Sequence, residues 1–414
     1  AFMDRQTVAR NSRFLVLEIF WAALFMGCVA FVAAYIIRLG GSNLLVSLLT
    51  AGAALVNALA ALPFAAFLEG RARRRPWIIG SLAVVRLGHL GLIAVPYLAG
   101  EWAPGAAVLL LVALNVPVAL FTAGFLPMLA DVVPLERRAR VFSARNITLG
   151  ATAAVTTFSM GLWLDRAPFP LNYQLLFAFG VVASCISTLY VARLAIPDSA
   201  VVRSEGRQRL SITTLREALR GQRPFTNLMV NTLIFNLAFW MAVPLQPIYF
   251  VRVLGASDAW IGLFTALVSG GTILGSLLWE RQIRRLGFGG VLLRAALLSA
   301  LYYLLIGLFP NLWVILLCGL FFGIVSSGVD LCHFNMLLEV CPPERRAFYI
   351  GLFVTVMNIG FCVAPLAVAP LTELIGARAL VLALAGLRLG GALLFVANPV
   401  AARNELPELR ELPE

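Results

Sequence analysis

Charge is scarce in this chain. Only 13% of its residues are Asp, Glu, Lys or Arg, against roughly 25% in soluble domains, too few to cover a water-facing surface. Lysine is missing altogether, so all 32 basic residues are Arg. Histidine occurs only at His89 and His333. There is no Gly-rich phosphate loop and no nucleotide domain to drive a pump, and no Ser/His/Asp set in a soluble cleft. A catalytic centre is therefore not expected. The six cysteines, Cys28, Cys185, Cys318, Cys332, Cys341 and Cys362, lie in or at the ends of apolar runs. They show neither metal-ligand nor disulfide spacing and read as free core thiols. No metal and no cofactor is expected.

Apolar residues take the vacant share: 61% of the chain is hydrophobic and the mean hydropathy is +0.92. Apolar runs of about 20 residues, separated by short Arg-bearing breaks, read as transmembrane helices. The chain is thus expected to be an all-α integral membrane protein. Twelve spans are predicted, at 15–37, 43–68, 77–98, 105–131, 141–164, 173–195, 225–251, 259–279, 288–309, 312–339, 348–371 and 378–399. The first is long enough to cross a bilayer and lacks a small-residue cleavage site, which favours a retained span over a cleaved signal peptide.

The chain also repeats itself. Val133-Pro134-Leu135-Glu136-Arg137-Arg138-Ala139 returns as Cys341-Pro342-Pro343-Glu344-Arg345-Arg346-Ala347, and at the same shift Asp131 falls on Glu339 and Asp165 on Glu373. Tyr35-Ile36-Ile37-Arg38 matches Tyr249-Phe250-Val251-Arg252, and Glu69 to Arg74 matches Glu280 to Arg285. Matches kept in order at a period of half the chain indicate two related halves, not a solenoid.

Charge orients the spans. One set of breaks holds 25 Arg, in the groups 5–13, 71–75, 137–145, 193–223, 281–285, 345–346 and 403–410; the opposite set holds Arg38, Arg166, Arg252 and Arg378. The positive-inside rule then places both termini and the long central break in the cytoplasm, and the net +12 charge is a topology signal, with no nucleic-acid partner implied. The expected organisation is a first six-helix bundle over 1–195, a linker over 196–224 and a second bundle over 225–414. Thr214-Leu215-Arg216-Glu217 has a capping-box pattern, so the linker is expected to carry a short surface helix. The acidic tail (Glu405, Glu408, Glu411, Glu414) reads as a solvated end.

Six spans, a long basic loop and six related spans resemble the major facilitator superfamily over essentially the whole chain. That family carries Gly-x-x-x-Asp-Arg-x-Gly-Arg-Arg between its second and third spans. Here the stretch reads Ala65-Ala66-Phe67-Leu68-Glu69-Gly70-Arg71-Ala72-Arg73-Arg74, and the copy from Ser276 to Arg285 keeps Glu280, Arg281, Arg284 and Arg285. The fifth span, Gly150-Ala151-Thr152-Ala153-Ala154-Val155, lacks the Pro of the drug–proton antiporter motif, and Ile196-Pro197-Asp198-Ser199 is not the sugar-porter signature. The subfamily stays open. The resemblance implies two pseudo-symmetric six-helix bundles working by alternating access. It also implies a cytoplasmic charge clamp of Glu69, Arg73 and Asp131, echoed by Glu280, Arg284 and Glu339, that engages in the outward-open state. Exposed ion pairs worth about 0–1 kcal/mol each are the alternative.

Polar groups inside apolar helices are the remaining candidates, because each costs roughly 2.5–3.5 kcal/mol at the centre if charged. Asp330 lies nine residues before Glu339, about 14 Å into the tenth span, and His333 follows on the same face. Dehydration and a neighbouring imidazole act on the acid in opposite senses, so its charge depends on which side wets it. A static bridge to Arg388 is the competing arrangement. Arg86 and Arg388 lie equally deep in the third and twelfth spans, which the resemblance places behind the central cavity, and they are expected to be paired structurally. Glu18 sits nearer the cytoplasmic end of its span and is expected to snorkel or pair. Asn57, Asn115, Asn146, Asn231, Asn236, Gln246 and Asn358, with Trp240, occupy spans the family uses for its cavity. Asn in membrane helices serves as interhelical glue as well as ligand contact. Pro117, Pro127, Pro244 and Pro247 free carbonyls and bend the fourth and seventh spans.

The expected function is a proton-coupled secondary transporter, a monomer in the inner membrane of a prokaryote, exporting a small, partly apolar molecule with membrane lipid and protons as its other partners. Two alternatives use the same residues: import of an anionic solute that pairs with a buried Arg, and a non-transporting membrane helper on the same fold.

Overall fold

Within hydrocarbon a backbone N–H or C=O has no water to bond, so an apolar run must close its bonds within its own helix. The computed structural model describes residues 5–69, 71, 73–133, 135–195, 222–341, 346–398 and 400, and its apolar runs are helical. The first span is Arg5–Val29 continued by Val32–Arg38; the second is Asn43–Glu69; the third is Arg75–Gly88 continued by Gly91–Leu98. Ala103–Val132, Leu135–Leu164 and Leu171–Ala192 form the fourth to sixth. The seventh is Arg223–Pro247 with a π-helical end over Ile248–Val253, the tenth is Leu312–Val340 and the twelfth is Ala377–Ala397. Between the last two, the eleventh runs from Arg346–Val363 through a 3₁₀ turn at Ala364–Ala367 into Val368–Ile375.

Eleven of the described helices are long and apolar enough to cross a membrane, and one of them contains two spans. Asp258–Leu308 is 51 residues long, about 77 Å of helix against a core about 30 Å thick. It breaks at Gly287, whose φ of 68° and ψ of 173° suit only glycine. The eighth span precedes this residue and the ninth follows it, which gives the twelve expected. Proline explains two other irregularities. Pro244 and Pro247 cannot donate to the carbonyls four residues back, so the seventh span loosens into its π-helical end; Pro365 sits in the 3₁₀ turn of the eleventh.

The duplication is visible in the packing. Tyr35 donates its hydroxyl to the Leu92 carbonyl at 2.9 Å, and Tyr249 donates to the Ile306 carbonyl at 3.2 Å. Both pairs are 57 residues apart in sequence, so the same first-to-third-span tie is made in each half. Elsewhere small residues let backbones approach. The eighth and tenth spans meet at Gly271, Gly275 and Gly323, where a Cβ on Gly323 would lie 2.1 Å from the Val268 carbonyl oxygen. The halves join through the fifth span on the eighth and the second on the eleventh. At the first of these contacts, a Cβ on Gly161 or Gly262 would lie 2.5 or 2.4 Å from the opposing carbonyl of Asp258 or Thr157.

One boundary is corrected. The fifth helix starts at Leu135, not 141, and carries Arg145 from the expected cytoplasmic break into the bundle, where it is 6% exposed. Its guanidinium meets Glu18 at 2.6 Å and donates to the Leu15 carbonyl, while Ser187 donates to the other Glu18 oxygen. Glu18 therefore pairs and does not snorkel. Removing one partner leaves a buried charge uncompensated. Glu18→Leu is expected to cost about 3–5 kcal/mol in detergent unfolding, and the double variant with Arg145→Leu is expected to recover much of that loss. Equal stability of the single variant and the parent would sink this. The linker helix predicted around Thr214 and the acidic tail lie outside the described residues.

Candidate functional site

A cavity of about 420 Å³ opens between the first four spans and the seventh. Its walls are apolar, with Phe25, Val29, Val46, Leu49, Leu111 and Leu114 on one side and Pro244 and Pro247 on the other. Thr50, His89 and Asn115 are its polar groups. His89 Nδ1 stands 2.7 Å from the Val85 carbonyl. A carbonyl only accepts, so Nδ1 carries a proton, and in a neutral ring Nε2 is then the acceptor. Phe25 meets this ring edge-on at 4.9 Å between centroids. Asn115 donates to Leu111 of its own helix at 2.8 Å, the usual way for an amide to be tolerated in an apolar span. Behind Phe25 lies Arg86, only 7% exposed, with its guanidinium 4.6 Å from the ring centre and no acceptor for its Nε. Among the described residues no acid lies within 4 Å of Arg86; the charge of Glu18 acts on it from further away, and the Phe25 ring face holds the guanidinium.

In the second half, most polar candidates are used by the packing. Asn231 donates to the carbonyls of Leu394 and Asn398 at 3.1 and 3.0 Å, fastening the seventh span to the end of the twelfth. Asn236 accepts from Arg388 at 3.3 Å, and Gln246 donates to the Tyr302 hydroxyl at 3.2 Å. Trp240 is buried against Phe361. These four behave as interhelical glue. Arg388 is 3% exposed; it donates to Ser299 Oγ at 2.9 Å and to the Phe235 carbonyl at 2.8 Å and lies 3.4 Å over the Phe235 ring. It tells against the expected acidic partner: among the described residues the ion pairs within 4 Å are Arg38–Asp258, Arg145–Glu18 and Arg284–Glu280, and the Arg388–Asp330 bridge is not among them.

Asp330 is exposed and carries no hydrogen bond to His333, which lies 3.3 Å from the Thr232 hydroxyl and is flanked by Phe235 and Phe395. The two residues share a face but not a bond. Asn146 is exposed and Asn358 half-buried.

The expected charge clamp is not closed in its second copy. Arg284 turns to Glu280 on its own helix at 2.9 Å, and Glu339 is exposed. Arg73 is exposed, while the Glu69 and Asp131 side chains lie outside the described residues.

A built cluster stands at the other end, where the breaks are poor in Arg. Asp258, 2% exposed, accepts from Arg38 at 3.0 Å and from the Tyr173 hydroxyl at 2.8 Å. Asp165, at the end of the fifth span, accepts from the backbone N–H groups of Asp258 and Ala259 at 2.8 and 3.1 Å. It thus caps the eighth helix from the opposite half, where an anion is favoured. Arg252 completes the pattern by bonding Asn43 and the Gly41 carbonyl. Each half therefore sends the Arg that ends its first span into the other half. The repeated Tyr-x-x-Arg segment was the sequence signal for these residues; their role in joining the halves was not read from it.

A family model described as Major Facilitator Superfamily matches residues 15–264 and 228–413. The multidrug resistance protein MdtG of Citrobacter koseri is 27% identical over 165 residues, which cover 39% of this chain and 40% of the relative. The match thus spans less than half of that relative's length. Among solved structures, the nucleoside transporter NupG superposes with a TM-score of 0.72 at 13% identity, covering 94% of this chain and 99% of that one. A POT family transporter in complex with 5-aminolevulinic acid gives 0.72 at 12% identity, covering 95% and 97%. An inward-facing, unoccupied bacterial homolog of the lysosomal transporter Spinster gives 0.64 at 15% identity, covering 96% of both. The twelve spans, the half-to-half repetition and a family match over most of the length agree, and the chain belongs to the Major Facilitator Superfamily of membrane transporters.

Proposed function

We propose that the chain is a proton-coupled secondary transporter that exports a small, partly apolar molecule by alternating access. The observation that carries this reading is Asp330, an exposed carboxylate about 14 Å into its span with no cation within 4 Å of it among the described residues. A carboxylate in that position is costly unless water or a ligand reaches it, and proton exchange or substrate contact needs such access. The bundles over 1–195 and 225–414, joined by 196–224, are the rocking units. With the Arg-poor end bonded across the halves and Arg284 disengaged from Glu339, the arrangement fits a state open to the cytoplasm. The apolar cavity beside His89 and Asn115 suits a ligand with few charges, and the multidrug resistance relative supports export. Purified protein in liposomes, loaded with a substrate panel under an imposed pH gradient, tests the proposal; accumulation that ignores the gradient for every substrate counts against coupling. One observation favours the importer of an anionic solute: the Arg86 Nε has no acceptor among the described residues. In that case uptake of an anion should disappear in Arg86→Leu.

We also propose an inner-membrane orientation with both termini cytoplasmic, on the Arg count of the two sets of breaks. A cysteine placed at Ser204 should react with impermeant thiol reagents only after the cells are opened. Labelling in intact cells would reverse the orientation.

A further inference from the structure

Among the described residues four Arg stand at membrane depth, and one differs from the rest. Arg86, Arg145 and Arg388 are 7%, 6% and 3% exposed and held by a ring, a carboxylate or hydrogen bonds. Arg294 is exposed and lies seven residues beyond the break at Gly287, about 10 Å along the ninth span from its Arg-rich end. No acid lies within ion-pair distance of it among the described residues. Its face is the outer one. Leu298, Leu301, Leu304 and Leu308 continue the same stripe and are 37%, 39%, 40% and 48% exposed, at the spacing of one helix face. The opposite face, with Val291, Leu292, Ala295 and Ala296, is buried.

Arg294 does not stand on a flat surface. It borders a groove of about 580 Å³ between the eighth, ninth and tenth spans, walled by Leu278, Leu297 and Leu298 with Gln282 beside it. Trp279 forms part of the wall and is held there by its indole N–H, which donates to the Ile324 carbonyl at 2.7 Å. The fold itself does not ask for a cation here. The equivalent first-half position is Ala83 at the 211-residue shift of the loop motif or Gly80 at the 214-residue shift of the Tyr-x-x-Arg repeat. A cation facing hydrocarbon is costly unless it reaches an anion at the membrane surface, and exposed Arg281 and Arg285 stand at the same end of the hairpin.

We propose that this groove binds one anionic phospholipid of the Arg-rich leaflet, its phosphate held by Arg294 and Gln282 and its acyl chains lying along Leu278, Leu297 and Leu298. Charge complementarity selects the headgroup and the leucine wall selects a lipid over a free phosphate. The test is native mass spectrometry of the delipidated full-length protein titrated with phosphatidylglycerol, phosphatidylcholine or glycerol 1-phosphate. Phosphatidylglycerol should bind in a saturable one-to-one step, with phosphatidylcholine and glycerol 1-phosphate at least about tenfold weaker, as expected when charged hydrogen bonds or acyl contacts are missing. Arg294→Leu should lose about tenfold in phosphatidylglycerol affinity while Arg294→Lys keeps most of it. Leu298→Trp, which leaves the charge and fills the groove, should also weaken binding. Unchanged phosphatidylglycerol binding in both Arg294→Leu and Leu298→Trp overturns the site; glycerol 1-phosphate binding as tightly as the lipid overturns its assignment to lipid.

Discussion

Asp258→Asn is expected to open the Arg-poor end of the transporter. The carboxylate receives Arg38 and Tyr173 from the other half, and an amide keeps the hydroxyl bond but loses the ionic one. Hydrogen bonds to charged groups contribute about 1.5–3 kcal/mol; the Arg38 side chain is 31% exposed, so the lower end applies. About 1.4 kcal/mol is a tenfold change in population. With Thr50→Cys as a reporter in the cavity, labelling by an impermeant thiol reagent from the Arg-poor side should rise by roughly that factor over the same reporter in the parent. Arg38→Gln should produce a similar rise, and the two together should fall short of the summed effects, because they remove the same contact. Additive effects would mean that the two residues act separately and that the cluster is not a closure.

The second large effect concerns Asp330. Asp330→Asn is expected to abolish pH-gradient-driven accumulation, at least about tenfold below the parent, while counterflow exchange of substrate continues. This is the signature of a lost proton-coupling group and not of a lost binding site. The geometry adds a control. Because Asp330 is exposed, no ion pair within 4 Å joins it to Arg388, and Arg388 donates to Ser299, Phe235 and Asn236, the substitution should cost well below the roughly 3–5 kcal/mol of a broken buried pair. A large loss of stability rescued by Arg388→Leu would restore the static bridge, and parental accumulation rates would end the coupling proposal.

Much of the architecture was legible before any coordinate. Scarce charge and 20-residue apolar runs force transmembrane helices, and two copies of Tyr-x-x-Arg and Glu-Arg-Arg-Ala force two related halves. The structure repeats the first of these motifs as identical Tyr-to-carbonyl ties 57 residues apart. Which polar groups sit inside the membrane was also plain, since each stands out against an apolar run. Their partners were not. Arg388 turned to neutral acceptors, His333 to Thr232, and Arg145 left its presumed break for Glu18. Asp258, at the mouth of a span, carried no sequence signal of its own; in the structure Arg38, Tyr173 and Asp165 close around it. A helix announces its residues through composition, but its rotation about its own axis and its tilt against its neighbours decide which side chains meet. At the ends of spans a single turn moves a charge between water and the bundle. Span number, repetition and charge asymmetry were thus determined by the sequence by itself. The ionic contacts, the end bonded across the halves and the exposure of Asp330 and Arg294 were decided by tertiary packing, because those depend on how twelve similar apolar cylinders are turned toward one another.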